Sequence, residues 1–441
     1  MNTTISNIFS LSPHMRYALQ ASAAIVIAYM VPMAYGWSTQ SYTAAIAVMT
    51  IASTTGLHLS VQKGALRVLG TVVGAAIGMI LVANFAQERM LYLGILSLFV
   101  FVLLYLARAY RGDNTLFVLM LVTIMTLYNG SDKDIVTYAI DRTSMTLFGV
   151  IVYTLCSIYL LPQKAIRTKE EKKEIKRLTR FDFYTLEHLK AAFVGFLIYW
   201  VSVYFWIEFN PPLGFMVVTL ATVLSATTIF SPVTPKMILI AFSMSLAFAV
   251  LSYVAILPNL HYGWQLALFL FLYAFIGYYF LPEALTMIFL IGTTTFYIQN
   301  TMFYNFGVFL NVLFALYLFM FILLFFYYIP FSSKSEDIVK SLLQRLHRQL
   351  AAITEPHPSF LGRLYRNYAK KALSATLASL HFWGEKLDTA FFDIDMEKFK
   401  EWHKKLITIL KEERFEQEKI TALQKVYKET GLENLFARSR F

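Results

Sequence analysis

Charge is what this chain has least of. Asp, Glu, Lys and Arg make up only 15% of its 441 residues, against about a quarter in ordinary soluble domains. Hydrophobic residues reach 58%, more than a soluble core absorbs, so the sequence reads as an integral membrane protein. Cysteine is nearly absent: Cys156 stands alone. A single thiol excludes an internal disulfide and leaves no basis for a cysteine-held metal. There is no G-x-x-x-x-G-K-[ST] loop, no H-E-x-x-H pair and no cysteine–histidine cluster, the patterns that hold nucleotides and catalytic metals. These absences argue against an enzyme and against any cofactor. Transport driven by ATP would need a separate nucleotide-binding chain. Acidic residues are outnumbered by basic ones, 27 to 38. In a membrane protein such an excess gathers in cytoplasmic loops. A nucleic-acid partner would need it in a soluble module with stacking aromatics, and no such module is visible.

What the chain does have is long apolar runs. Six candidate spans lie at about 15–35, 38–56, 63–86, 90–107, 114–129 and 138–162. Six more lie at about 188–207, 213–230, 236–257, 262–281, 283–299 and 305–330. Each approaches the ~20 residues needed to cross a bilayer, with 38–56 and 114–129 the weakest. The expected fold is all-α and polytopic, with about twelve transmembrane helices in two six-helix halves. Residues 1–162 form the first half, 163–187 a basic linker, 188–330 the second half and 331–441 a helical tail. Lys and Arg concentrate at 56–67, 107–114 and after Pro162. The positive-inside rule then places both termini and the linker in the cytoplasm. In the tail, Ser333 to Glu336 has the form of a capping box. Amphipathic helical runs follow, with breaks at Pro356 and Pro358.

The organising stretch is KGALRVLGTVVGAAIG, Lys63 to Gly78. Gly70, Gly74 and Gly78 recur every four residues and share one helix face. A bare face lets a second helix approach closely in lipid. Arg67 precedes them. The run Arg67-Val-Leu-Gly-Thr71-Val-Val-Gly74 matches Arg142-Thr-Ser-Met-Thr146-Leu-Phe-Gly149 as R-x-x-x-T-x-x-G, 75 positions apart. A three-span unit repeated in tandem alternates its orientation, which is the inverted repeat of many transporters. This places Arg67 towards the cytoplasmic side and Arg142 towards the outer side. The second half reads as a degenerate copy. Lys236 follows Arg67 by 169 positions, and Asn311 follows Arg142 by the same 169.

Ionisable groups in or near lipid are costly and usually pair or line a pathway. Arg67 and Arg142 either anchor helix ends at the interface or bind an anion, since a guanidinium fork matches a carboxylate. Lys236 and Trp37 are further candidates for the substrate site. Asp141 and Glu208 are candidates for a proton relay, with Glu283 a third acidic group near a span. Gly70, Gly74, Gly78 and Gly149 are candidates for helix packing. Hydroxyl and amide clusters at Thr39–Ser41, Ser53–Thr55, Thr227–Thr228, Thr293–Thr295 and Gln299–Asn300 either line a wet cavity or bond between helices.

The run from Gly36-Trp37 through TAAIAVMTIAS to ALRVLGTVVGAAIG resembles the FUSC family, named for fusaric acid resistance and also called aromatic acid exporters. Arg67, Gly70, Thr71, Gly74 and Gly78 fill the family's R-x-x-G-T-x-x-G-x-x-x-G signature, and Arg142 to Gly149 resembles its later arginine–glycine element. The likeness is good over about 14–162 and weaker over 188–330. The short linker and the loss of the arginine motif in the second half depart from the family pattern. The resemblance implies proton-coupled efflux of small aromatic carboxylates across a bacterial inner membrane. It also implies a periplasmic adaptor as partner. Three readings stand: an organic-anion exporter, a passive anion channel, and a scaffold acting through its tail. Monomer and homodimer are both compatible with two fused halves.

Overall fold

The computed structural model describes residues 12–37, 41–52, 57–85, 87–110, 113–128, 135–160, 186–211, 214–228, 235–281, 283–296, 298 and 305–328, with short stretches between 341 and 379. They fall in two compact units, one reaching Ser332 and one beginning at Ser333. In the first unit the described regular elements are all helical.

Helix α1, Pro13–Tyr35, shows how the ends are set. Ser12 caps it by accepting from the Met15 backbone N–H at 3.2 Å, with Pro13 at the first position, where no donor is lost. At the far end Gly36 adopts a left-handed φ of 60°. Gly36 N–H donates to Met33 O and Trp37 N–H to Pro32 O, the paired bonds of a Schellman stop. That stop fixes where Trp37 emerges. Then follow α2, Ser41–Ala52; α3, Leu57–Phe85; α4, Arg89–Ala109; α5, Thr115–Tyr128; and α6, Ile135–Tyr159. After the linker come α7, Leu186–Phe209; α8, Phe215–Thr228; α9, Pro235–Leu251; α10, Gly263–Phe280; α11, Glu283–Thr294; and α12, Phe306–Tyr328. Helix α9 continues through a π turn, Ser252–Ile256, and a 3-10 turn, Leu257–Asn259.

Lengths alternate in a regular way. Eight helices, α1, α3, α4, α6, α7, α9, α10 and α12, are long and apolar enough to cross a membrane. The other four, α2, α5, α8 and α11, have 12, 14, 14 and 12 residues. At 1.5 Å per residue these reach only about 18–21 Å, short of a ~30 Å hydrocarbon core. The short helix is therefore the second of every three, and twelve full crossings do not follow from helix length. Two boundaries also move. The polar stretch before Arg67 is helical from Leu57, and α6 begins at Ile135.

The packing pairs repeat as well. Helix α1 packs on α2 and α4 on α5; α3 packs on α5 and on α6; α6 packs on α2. In the later half α7 packs on α8 and α10 on α11; α9 packs on α11 and α12; α12 packs on α8. Across the halves, α1 meets α10, α4 meets α7, α2 meets α11 and α5 meets α8. Among the described residues, two apolar cores draw on both halves. One gathers Ala21, Ile25, Val48, Tyr153, Leu270 and Tyr273; the other gathers Leu93, Leu96, Ile124, Tyr199 and Val218. Leu98, Met244, Phe280, Phe321 and Phe325 lie exposed, an apolar exterior that suits lipid and would aggregate in water.

In the second unit, residues 341–346 and 365–369 are helical. Leu342, Leu343, Leu346 and Ala369 are buried there. Arg345 Nη2 donates to Tyr368 Oη at 3.2 Å, and Arg366 Nε donates to Ala352 O at 3.2 Å. The capping-box residues and the helical runs beyond 379 lie outside the described residues.

Candidate functional site

Arg67 sits roughly three turns inside α3, because the helix begins at Leu57. Its exposure is 6%. A side chain reaching for the interface would carry its head into water; this one is enclosed. Its Nε is buried and has no hydrogen-bond partner among the described residues. One turn on, Thr71 Oγ1 donates to Arg67 O at 2.9 Å.

The second copy of the motif is built in the same way. Thr146 Oγ1 donates to Arg142 O at 2.8 Å on α6. Arg142 itself is half-buried. In each copy the threonine ties its hydroxyl to the arginine's carbonyl, and the glycine one turn further faces a short helix. A Cβ at Gly74 would stand 2.8 Å from Met120 O and 3.0 Å from Met120 Cα on α5. A Cβ at Gly149 would collide with Ala44 O and lie 2.9 Å from Ala47 Cβ on α2. Gly70 takes Leu116 O at 2.7 Å, and Gly78 takes the Leu127 side chain and Ile124 Cα. Helix α3 thus receives α5 along its bare face, backbone against side-chain-free backbone.

The two arginines come together. Helices α3 and α6 pack on each other, with Gly64 against Val150 Cγ1, and the charge of Arg142 acts on Arg67. From the Gly64–Val150 contact, an antiparallel pair sets Arg67 roughly five residues, about 8 Å along the axis, from Arg142. A parallel pair would roughly double that. Both motif copies thus lie on the packed α3–α6 pair. Among the described residues neither arginine is in an ion pair. Two cations with no counter-charge in an apolar setting are a costly arrangement, and one suited to an anion.

The other candidates are less concentrated. Trp37, half-exposed after the α1 stop, meets Phe148 edge-on at 5.5 Å and stacks on Tyr35 at 5.2 Å. Phe148 lies on α6 beside Gly149, so Trp37 and Arg142 share that helix as neighbour. Asp141 is half-buried next to Arg142 in sequence, and adjacent helical residues diverge by about 100°. Glu208 is exposed near the end of α7, which packs on α4, α8 and α12. The side chains of Lys236 and Glu283 lie outside the described residues, as do most of the hydroxyl clusters. Of those described, Thr293 Oγ1 donates to Leu290 O and Thr295 Oγ1 to Gly292 O, both at 2.7 Å. These hydroxyls bond within their own chain segment rather than between helices.

Sequence reasoning missed two tyrosine groups. Tyr92, Tyr128 and Tyr199 lie together where α4 meets α7. Tyr17, Tyr153 and Tyr278 lie together where α1 meets α10. A signal existed, since Tyr17 and Tyr92 are 75 positions apart, the same offset that relates the arginines.

Residues 14–173 match the fusaric acid resistance protein family, FUSC. No curated protein and no solved structure matches the chain. The matched range contains α1 to α6, both R-x-x-x-T-x-x-G copies and their contact. The match lies within the first membrane half and its linker, and residues 174–441 fall outside it.

Proposed function

We propose that this protein exports small organic anions, aromatic carboxylates foremost, across a bacterial inner membrane with protons as the coupling ion. The match of residues 14–173 to the fusaric acid resistance protein family supports the general reading. The observation that carries the anion is Arg67, enclosed at 6% exposure, with no partner for its Nε among the described residues and under the influence of a second cation. In this reading Arg67 and Arg142 attract the carboxylate, Trp37 and Phe148 offer an aromatic surface nearby, and Asp141 passes the proton. Both termini are cytoplasmic, and a periplasmic adaptor receives the exported anion.

The architecture proposed is four inverted three-helix repeats. Two observations favour it: the long–short–long order of lengths, and packing pairs that map onto each other when α1–α3 are exchanged for α4–α6, α7–α9 or α10–α12. The short helices slide on the glycine faces while the long ones hold the bilayer.

The test is uptake of labelled aromatic carboxylates into inside-out vesicles, comparing wild type with Arg67→Ala and Arg142→Ala, with and without an uncoupler. Export requires uncoupler-sensitive accumulation that both variants lose. Rapid equilibration indifferent to the uncoupler would replace the exporter with a passive channel. If deletion of 331–441 abolished the cellular phenotype while Arg67→Ala left it intact, the protein would be a scaffold.

A further inference from the structure

The charge around the two arginines says more than that an anion binds. This step rests on the anion-site reading above. Within α1 to α6, the described acidic side chains are few and sit mainly at helix ends. Glu88 is the N-cap of α4. Asp113 precedes α5 and accepts from the Thr115 backbone N–H. Asp141 alone lies inside a long helix, and it projects about 100° away from Arg142. Arg67 and Arg142 take part in no ion pair among the described residues, and the charge bearing on Arg67 is a like one. Among the described residues, the α3–α6 crossing therefore carries two positive charges without a counter-charge.

We infer that the ligand held between Arg67 and Arg142 is an organic dianion, a small molecule carrying two carboxylates. A monoanion at this point leaves the pair with a net positive charge close to the enclosed Arg67, whose desolvation is then only partly relieved. A dianion balances both. The arginines come from different helices, and each guanidinium presents its own fork of donors. Two carboxylates on one rigid frame can each meet one guanidinium. Removing Arg142 converts the site to one positive charge, and the preference for the second carboxylate disappears with it. Removing Arg67 removes the enclosed member of the pair and weakens both ligand classes.

The experiment uses the full chain in lipid nanodiscs near neutral pH, with labelled phthalate and labelled benzoate as probes. These share a ring and differ in one carboxylate. Wild type is expected to bind phthalate at least tenfold more tightly. Arg142→Gln is expected to weaken phthalate binding far more than benzoate binding and so to bring the ratio near one. Arg142→Lys, which keeps the charge, is expected to retain a clear preference and serves as the control for folding. Equal binding of the two probes by wild type, or an unchanged ratio in Arg142→Gln, would overturn the inference while leaving an anion site in place. Binding of neither probe would remove the anion site itself, and the dianion with it.

Discussion

Gly74 on α3 lies against the backbone of Met120 on α5, so close that a methyl group there would stand 2.8 Å from the carbonyl oxygen and 3.0 Å from Cα. The obstacle is backbone, which cannot rotate aside as a side chain would. Gly149 meets the Ala44 carbonyl on α2 under the same constraint. Gly74→Ala and Gly149→Ala should each force two helices apart and cost about 1–3 kcal/mol, the usual range for overpacking. Gly94 on α4 provides the comparison, because a Cβ there meets nothing within 4 Å. Gly94→Ala should be neutral or stabilising by up to about 1 kcal/mol through helix propensity. Thermal unfolding in detergent, read by size-exclusion chromatography, separates the two classes.

Arg67 should show a conflict between stability and function. Its guanidinium is enclosed, and its Nε lacks a partner among the described residues. A buried charge of this kind is often better tolerated once replaced by an apolar group of similar volume, with gains of about 1–4 kcal/mol. Arg67→Met should therefore raise the midpoint of thermal unfolding while lowering anion transport by tenfold or more. A variant both less stable and still active would show that the side chain holds the fold rather than the ligand.

Much of this site could be read from the sequence, and the reasons differ by residue. The R-x-x-x-T-x-x-G copies were visible because a threonine bonding back to i−4 and a glycine facing a helix are local requirements, written within eight residues. Gly70, Gly74 and Gly78 were visible because a fourfold spacing survives any tertiary context. The depth of Arg67 was not, since the polar residues before Lys63 resemble a loop although α3 begins at Leu57. The Arg67–Arg142 approach was hidden for the same reason. The tyrosine groups were missed although Tyr17 and Tyr92 share the 75-residue offset, because the α4–α7 and α1–α10 contacts that assemble them join segments far apart in the chain.

Asp141 and Glu208 were both candidates for proton transfer, and their positions separate them. Asp141 is half-buried on the helix that carries Arg142, while Glu208 is exposed on α7, which packs on α4, α8 and α12. A relay must share the fate of the site it serves. Asp141→Asn should reduce uncoupler-sensitive transport by tenfold or more, whereas Glu208→Gln should stay within about twofold of wild type. The reverse pattern in vesicle uptake would move the relay to α7.

The tyrosine group between α4 and α7 contains two phenols that look alike in sequence and differ in bonding. Tyr199 Oη donates to Leu93 O at 3.1 Å, tying α7 to α4. Tyr92 Oη is buried with no partner among the described residues, and its ring stacks on Tyr128 at 5.1 Å. Removing a bonded hydroxyl loses about 1 kcal/mol. Removing an unpartnered one relieves its desolvation and keeps the ring contact. Tyr199→Phe should lower stability by about 1–2 kcal/mol, while Tyr92→Phe should leave it unchanged or raise it. If Tyr92→Phe proves the more damaging of the two, its hydroxyl is engaged by a bound water or ligand, and the α4–α7 seam then becomes part of the functional pathway rather than packing between the halves.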